Sequence, residues 1–124
     1  WPLLDRFSAR IPTGYDAGAY RRAAELVETA YQEYSNTRDY DRRVEIRNEY
    51  PRLGYAHAVI ASTTQELRQV RKQIAALDTR PMSDDVRAER RNQLMDREEA
   101  IFKKATKRLM QAGDPVREAM MANE

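Results

Sequence analysis

Ile60, Thr63, Leu67, Val70, Ile74 and Leu77 step by three and four in strict alternation. That spacing lines one side chain per turn along a single seam of a helix, where a second helix can pack. From Tyr55 to Leu77 there is no glycine or proline to interrupt it, so the spacing predicts a helix over 55–78. At 1.5 Å per residue this is a rod of about 36 Å. Pro81 then forces a turn, and Ser83 followed by Asp84 and Asp85 places an N-cap and two acids where the helix dipole favours negative charge. A second long helix is expected over 84–112, closing at Gly113, with Lys103, Lys104, Lys107 and Arg108 towards its negative end.

Two long helices joined by so short a connection lie antiparallel. With Leu77 set opposite Val86, the expected seam joins Ile60, Leu67, Val70, Ile74 and Leu77 of one helix to Val86, Leu94, Ile101 and Ala105 of the other. Thr63 then faces Glu98, and Arg91 falls on the seam side near Ile74. Polar residues in a seam commonly fix register at some cost in stability.

Upstream, Tyr20, Ala23, Ala24, Val27, Ala30, Tyr31 and Tyr34 draw one apolar stripe on a helix over 17–35, with Asp16 as its N-cap and Tyr15 and Tyr20 as the pair across the cap. The polar run Ser35 to Asp39 interrupts it, a short helix follows over 39–49, and Pro51 ends that one. A last helix over 115–122 carries Val116, Met120 and Met121. Residues 1–14 mix Pro2, Pro12 and Gly14 with Leu3, Leu4, Phe7 and Ile11 in no period, and are read as an extended arm. The expected fold is all-α: an elongated antiparallel helical hairpin with an N-terminal helix packed on it and an irregular arm, residues 15–124 forming one helical module. The chain opens at Trp1 and is read as a segment of a larger protein.

The residue inventory excludes most chemistry. There is no cysteine and one histidine, His57, so Ser-His-Asp and Cys-His centres and multi-histidine metal sites are not expected. Acid pairs such as Glu98 with Glu99 are sequence neighbours pointing apart on a helix, unlike carboxylates converging across a cleft. No catalytic, cofactor-binding or metal residue is assigned, and no enzyme activity is expected. No apolar run reaches the ~18 residues of a membrane span. Lys plus Arg number 22 against 20 Asp plus Glu, a near balance that does not favour nucleic acid as the partner. Arg68, Arg71 and Lys72, with Arg87, Arg90 and Arg97 opposite, remain the candidate phosphate contacts of a nucleic-acid-binding alternative. All seven tyrosines lie in the first half. Tyrosine is enriched at protein interfaces, so Tyr20, Tyr31 and Tyr34 are candidate partner contacts, together with Trp1, Leu3, Leu4 and Phe7 of the arm.

The order of elements from Glu25 to Leu109 resembles the helical C-terminal module of phage large polyvalent proteins and related podovirus internal virion, or ejection, proteins. The resemblance is carried by Tyr31 and Tyr34, by Asn48 and Pro51, by the run Leu67 to Ile74, and by the tip Pro81, Met82, Ser83. It implies a structural role in the virion, within the particle interior or tail, in a protein delivered to the host with the genome or assembled into its conduit. The implied partners are other virion subunits in an oligomeric assembly, and no catalytic residue is carried over. A coiled-coil protein-interaction adaptor is the further alternative.

Overall fold

The structure is a computed structural model and describes residues 17–122. They form five α-helices and no strand: α1 (Ala17–Asn36), α2 (Tyr40–Glu49), α3 (Leu53–Leu77), α4 (Asp84–Leu109) and α5 (Asp114–Met121). The fold is all-α, as the periodicities predict. The expected arm, and Asp16 and Tyr15 at the first cap, lie outside the described residues.

Asp39 separates α1 from α2 by accepting hydrogen bonds from the backbone N–H groups of Asp41 and Arg42. Pro51 does end α2, yet α3 resumes at Leu53 and takes Gly54 into its first turn. Ser83 caps α4, its hydroxyl accepting from the Val86 N–H at 3.3 Å. At the other end α4 stops at Leu109, three residues short of the expected bound, because Met110 to Gly113 turn sharply. Gly113 is therefore the residue that opens α5, at φ +137°.

The α3–α4 hairpin is the backbone of the molecule, and α1 lies across both of its helices. Helix α5, short as it is, packs chiefly against α1, where Arg22 donates to the Ala119 and Met120 carbonyls at 2.7 and 3.2 Å. Every buried residue of α4 lies at Glu98 or beyond. The core accordingly sits at the open end of the hairpin, where Tyr20, Val27, Ile46, Ile60, Leu67, Phe102, Leu109 and Val116 are fully enclosed. The fourteen residues Asp84 to Arg97 carry the tip beyond that core, about 21 Å of two-helix hairpin at 1.5 Å per residue.

The seam is followed by Ile60, Leu67, Val70, Leu77, Ile101 and Ala105, all buried, and by Ile74 and Leu94, half-buried against the core. Val86 is 40% exposed. Its place opposite Leu77 is taken by Arg87, whose guanidinium donates to the Leu77, Arg80 and Met82 carbonyls at 3.0, 3.1 and 3.4 Å. One residue back on a helix is about 100° away, which turns Val86 to solvent. Arg91 sits beside Ile74 and reaches Asp78 at 2.6 Å. Thr63 and Glu98, the expected polar positions, are both buried, and the Thr63 hydroxyl donates to the Val59 carbonyl at 2.7 Å.

Candidate functional site

Helices α1 and α2 and the α2–α3 junction enclose an open groove of about 470 Å³. Tyr31 and Tyr34 form one wall, Val44 and Asn48 the facing wall, and Tyr50 and Pro51 the end. Each wall follows from helical spacing. Tyr31 and Tyr34 are three apart on α1 and half-buried; Val44 and Asn48 are four apart on α2. The polar rim is tied down: Arg42 donates to both Glu33 carboxylate oxygens at 2.7 and 2.9 Å and to Glu45 at 3.0 Å. The hydrogen bond from Arg42 holds the Glu33 carboxyl below its ordinary range. Arg43 stands 4.5 Å over the Tyr34 ring, a cation–π contact. Burial, followed by the nearby charge of Glu49, raises the Tyr50 phenol above its ordinary value.

Tyr31 is also held from behind. Its ring stacks on His57 with centroids 3.7 Å apart and 5° between the planes, while His57 Nε2 lies 3.2 Å from Glu28 Oε2. The only histidine thus fixes an aromatic wall between α1 and α3. Among the described residues no group of three or more His, Cys, Asp or Glu is placed to hold a metal ion, and no helix is long and apolar enough to cross a membrane.

The candidate partner residues divide. Tyr31 and Tyr34 line the groove. Tyr20 is fully buried, edge-on to Phe102 at 5.3 Å and 73°, so it packs α1 onto the hairpin and offers nothing to a partner. Its hydroxyl faces Thr63 without a hydrogen bond of regular geometry among the described residues. Desolvation pushes the Tyr20 phenol above its ordinary value, with Thr63 opposing. Trp1, Leu3, Leu4 and Phe7 lie outside the described residues.

The candidate phosphate contacts divide as well. Arg68 and Lys72 are exposed and Arg71 half-buried, but Arg71 lines the flank that holds Arg91, Met95 and Glu98. Arg90 lines the opposite flank with Arg80, Gln73 and Gln93, and Arg87 is committed to the tip carbonyls. The single basic flank expected from these six residues is two flanks, because the seam runs between them. Sequence reasoning missed Phe102 and Leu109, which with Glu98 and Ala105 step by four, three and four as a second buried stripe on α4. That periodicity was there to be read.

Comparison with family models, with curated proteins and with solved structures finds no match to this chain. Fold and groove define an all-α helical module with a tyrosine-walled cleft.

Proposed function

We propose that the chain is a non-catalytic assembly module of a phage internal virion or ejection protein, and that its tyrosine groove receives an apolar segment of another virion subunit. The observation that carries this reading is convergence: Tyr31, Tyr34, Asn48 and Pro51, quoted for the resemblance from separate stretches of sequence, line one groove. The groove suits a peptide. Rigid aromatic walls supply contact area at low entropic cost, and the Asn48 amide can hold a backbone group at the rim. Arg42 and Arg43 are already engaged, which leaves a wall of fixed shape.

The test places a photo-crosslinking residue at Arg47, exposed on the groove margin, in the full-length protein within cells producing the particle. Adducts with other virion proteins in purified particles are expected, and Tyr34→Ala should reduce them about tenfold, the loss of about 1.4 kcal/mol of aromatic contact. Exclusion of the protein from particles, or adducts that persist unchanged in Tyr34→Ala, overturns the reading.

A further inference from the structure

Charge on α4 is sorted by side. Arg90, Arg97 and Lys104 recur every seven residues, Gln93 and Ala100 fill the positions between them, and Arg108 follows Lys104 by one turn. No acid interrupts this stripe over the nineteen residues from Arg90 to Arg108, about 27 Å of helix. Asp85, Glu89 and Asp96 stand on the next face outward, about 60–140° around the helix axis from the cations and about 20–80° from Gln93 and Ala100. Phe102, which meets Tyr20 of α1, is five residues from Arg97 and so about 140° away. The stripe therefore runs along the flank that α1 leaves bare.

Helix α3 adds to the same flank. Between the two helices near the tip lies a groove of about 330 Å³ with Leu77 and Leu94 at its base, Gln73 and Arg80 on one wall, and Arg90 and Gln93 on the other. Glu66 is the acid α3 contributes on this side. Elsewhere five cations are engaged, Arg42 with Glu33 and Glu45, Arg87 with Asp84, Arg91 with Asp78, Lys103 with Glu99 and Arg117 with Asp114, while Arg68, Arg71 and Lys72 on the opposite flank make no such pair among the described residues. Arg80, Arg90, Arg97, Lys104 and Arg108 make no side-chain ion pair among the described residues, although the chain has nearly as many acids as bases.

We infer that this flank is a track for the phosphate backbone of duplex nucleic acid, with its deepest seat between Arg80 and Arg90. The inference is independent of the tyrosine groove. Guanidinium, ammonium and amide donors are the side chains that meet phosphate oxygens. The flank presents Arg80, Arg90, Arg97, Lys104 and Arg108 with Gln73 and Gln93, and its one exposed aromatic ring among the described residues, Tyr55 five turns before Gln73 on α3, is not the succession of platforms on which single strands stack. An anionic bilayer is a poorer fit, because both helices bury most of their apolar residues in the hairpin and α4 leaves only Val86, one turn before Arg90, exposed on this flank.

The experiment is fluorescence anisotropy of the 124-residue chain with a labelled duplex of ~25 base pairs, from 50 to 200 mM salt. Four to five phosphate contacts give a log–log slope of about −4, a loss of affinity of roughly 250-fold across that range. Arg90→Gln/Arg97→Gln/Lys104→Gln, all at exposed positions, should flatten the slope by about 2.7 with the helical circular dichroism unchanged. Arg68→Gln/Arg71→Gln/Lys72→Gln, on the other flank, should leave it intact. Absence of binding at 50 mM salt, a slope indifferent to the first triple, or equal sensitivity to the second overturns the inference. Tighter binding to phosphatidylserine vesicles than to duplex, lost in the first triple, overturns it in favour of a membrane surface.

Discussion

Gly113 is where two distant parts of the chain press together, and replacing it by alanine tests the packing directly. A Cβ built there would lie 2.3 Å from the Glu49 carbonyl oxygen and 3.3 Å from both the Glu49 carbonyl carbon and Pro51 Cδ. The first distance is impossible for a real contact, and its partner is backbone at the end of α2, which cannot rotate away. The φ of +137° adds its own strain, about 1–3 kcal/mol for a residue with a side chain. Moving packed backbone to relieve the overlap costs about 1–3 kcal/mol more. Gly113→Ala should therefore lose about 2–6 kcal/mol, lowering Tm by about 8–24 °C at roughly 4 °C per kcal/mol. Gly54→Ala is the control: its Cβ would meet nothing within 4 Å, and the change should stabilise α3 by up to about 0.5 kcal/mol. Urea and thermal unfolding followed by circular dichroism report both. Pro51→Ala removes one contact atom but not the Glu49 carbonyl, so it should not rescue Gly113→Ala. A Gly113→Ala variant within 1 kcal/mol of wild type would show that the α2 terminus does not rest on the α4–α5 turn.

Two further changes probe the seam and the buried phenol. Leu67→Ala, at a fully buried position, should cost about 2–5 kcal/mol, whereas Val86→Ala should stay within about 0.5 kcal/mol; equal losses by urea unfolding would restore Val86 to the seam. Tyr20→Phe removes a buried hydroxyl that lacks a regular partner, so stability at neutral pH should change little. The folded-state pKa of Tyr20 is raised, by burial first, so the neutral phenol's contribution is whole below the ordinary phenol pKa of about 10 and falls away as pH rises above it. Tyr20→Phe should accordingly gain on wild type in Tm between pH 9 and pH 11, and a constant difference across that interval would refute the assignment.

The hairpin was legible because its signal is local: a three-four alternation on a proline-free run, a proline, a serine cap. What the alternation could not show is that the positions opposite Ile74 and Leu77 are polar. A search for apolar residues settles on Val86, while the structure seats Arg87 and Arg91, whose long stems reach carbonyls and a carboxylate at the tip. Phe102 and Leu109 were readable from their spacing but belong to a second buried stripe, on which Phe102 meets Tyr20 of α1, that a two-helix picture has no use for. The docking of α5 on α1 joins residues almost a hundred apart in sequence, and no local pattern announces it. The groove was half legible. Tyrosine enrichment pointed to Tyr31 and Tyr34, but separating them from Tyr20 takes the knowledge of which way α1 rolls on the hairpin.

The polar tip and the basic flank are linked through register. Towards the tip from Glu98 no third helix among the described residues fixes how α3 and α4 slide, and a seam of leucines alone tolerates displacement by a turn. Arg87 removes that freedom, because its bonds run to the carbonyls of Leu77, Arg80 and Met82 in particular; Arg91 adds the bond to Asp78. A slide of one turn, about 5.4 Å, would abandon all four acceptors and leave Arg87 only the Asp84 carboxylate of its own helix. With the register held, Arg80 and Arg90 face each other across one groove, and Arg97 and Lys104 extend that line along α4. The polar residues that thin the core at the tip are thus the ones that keep the cations of the flank in a row.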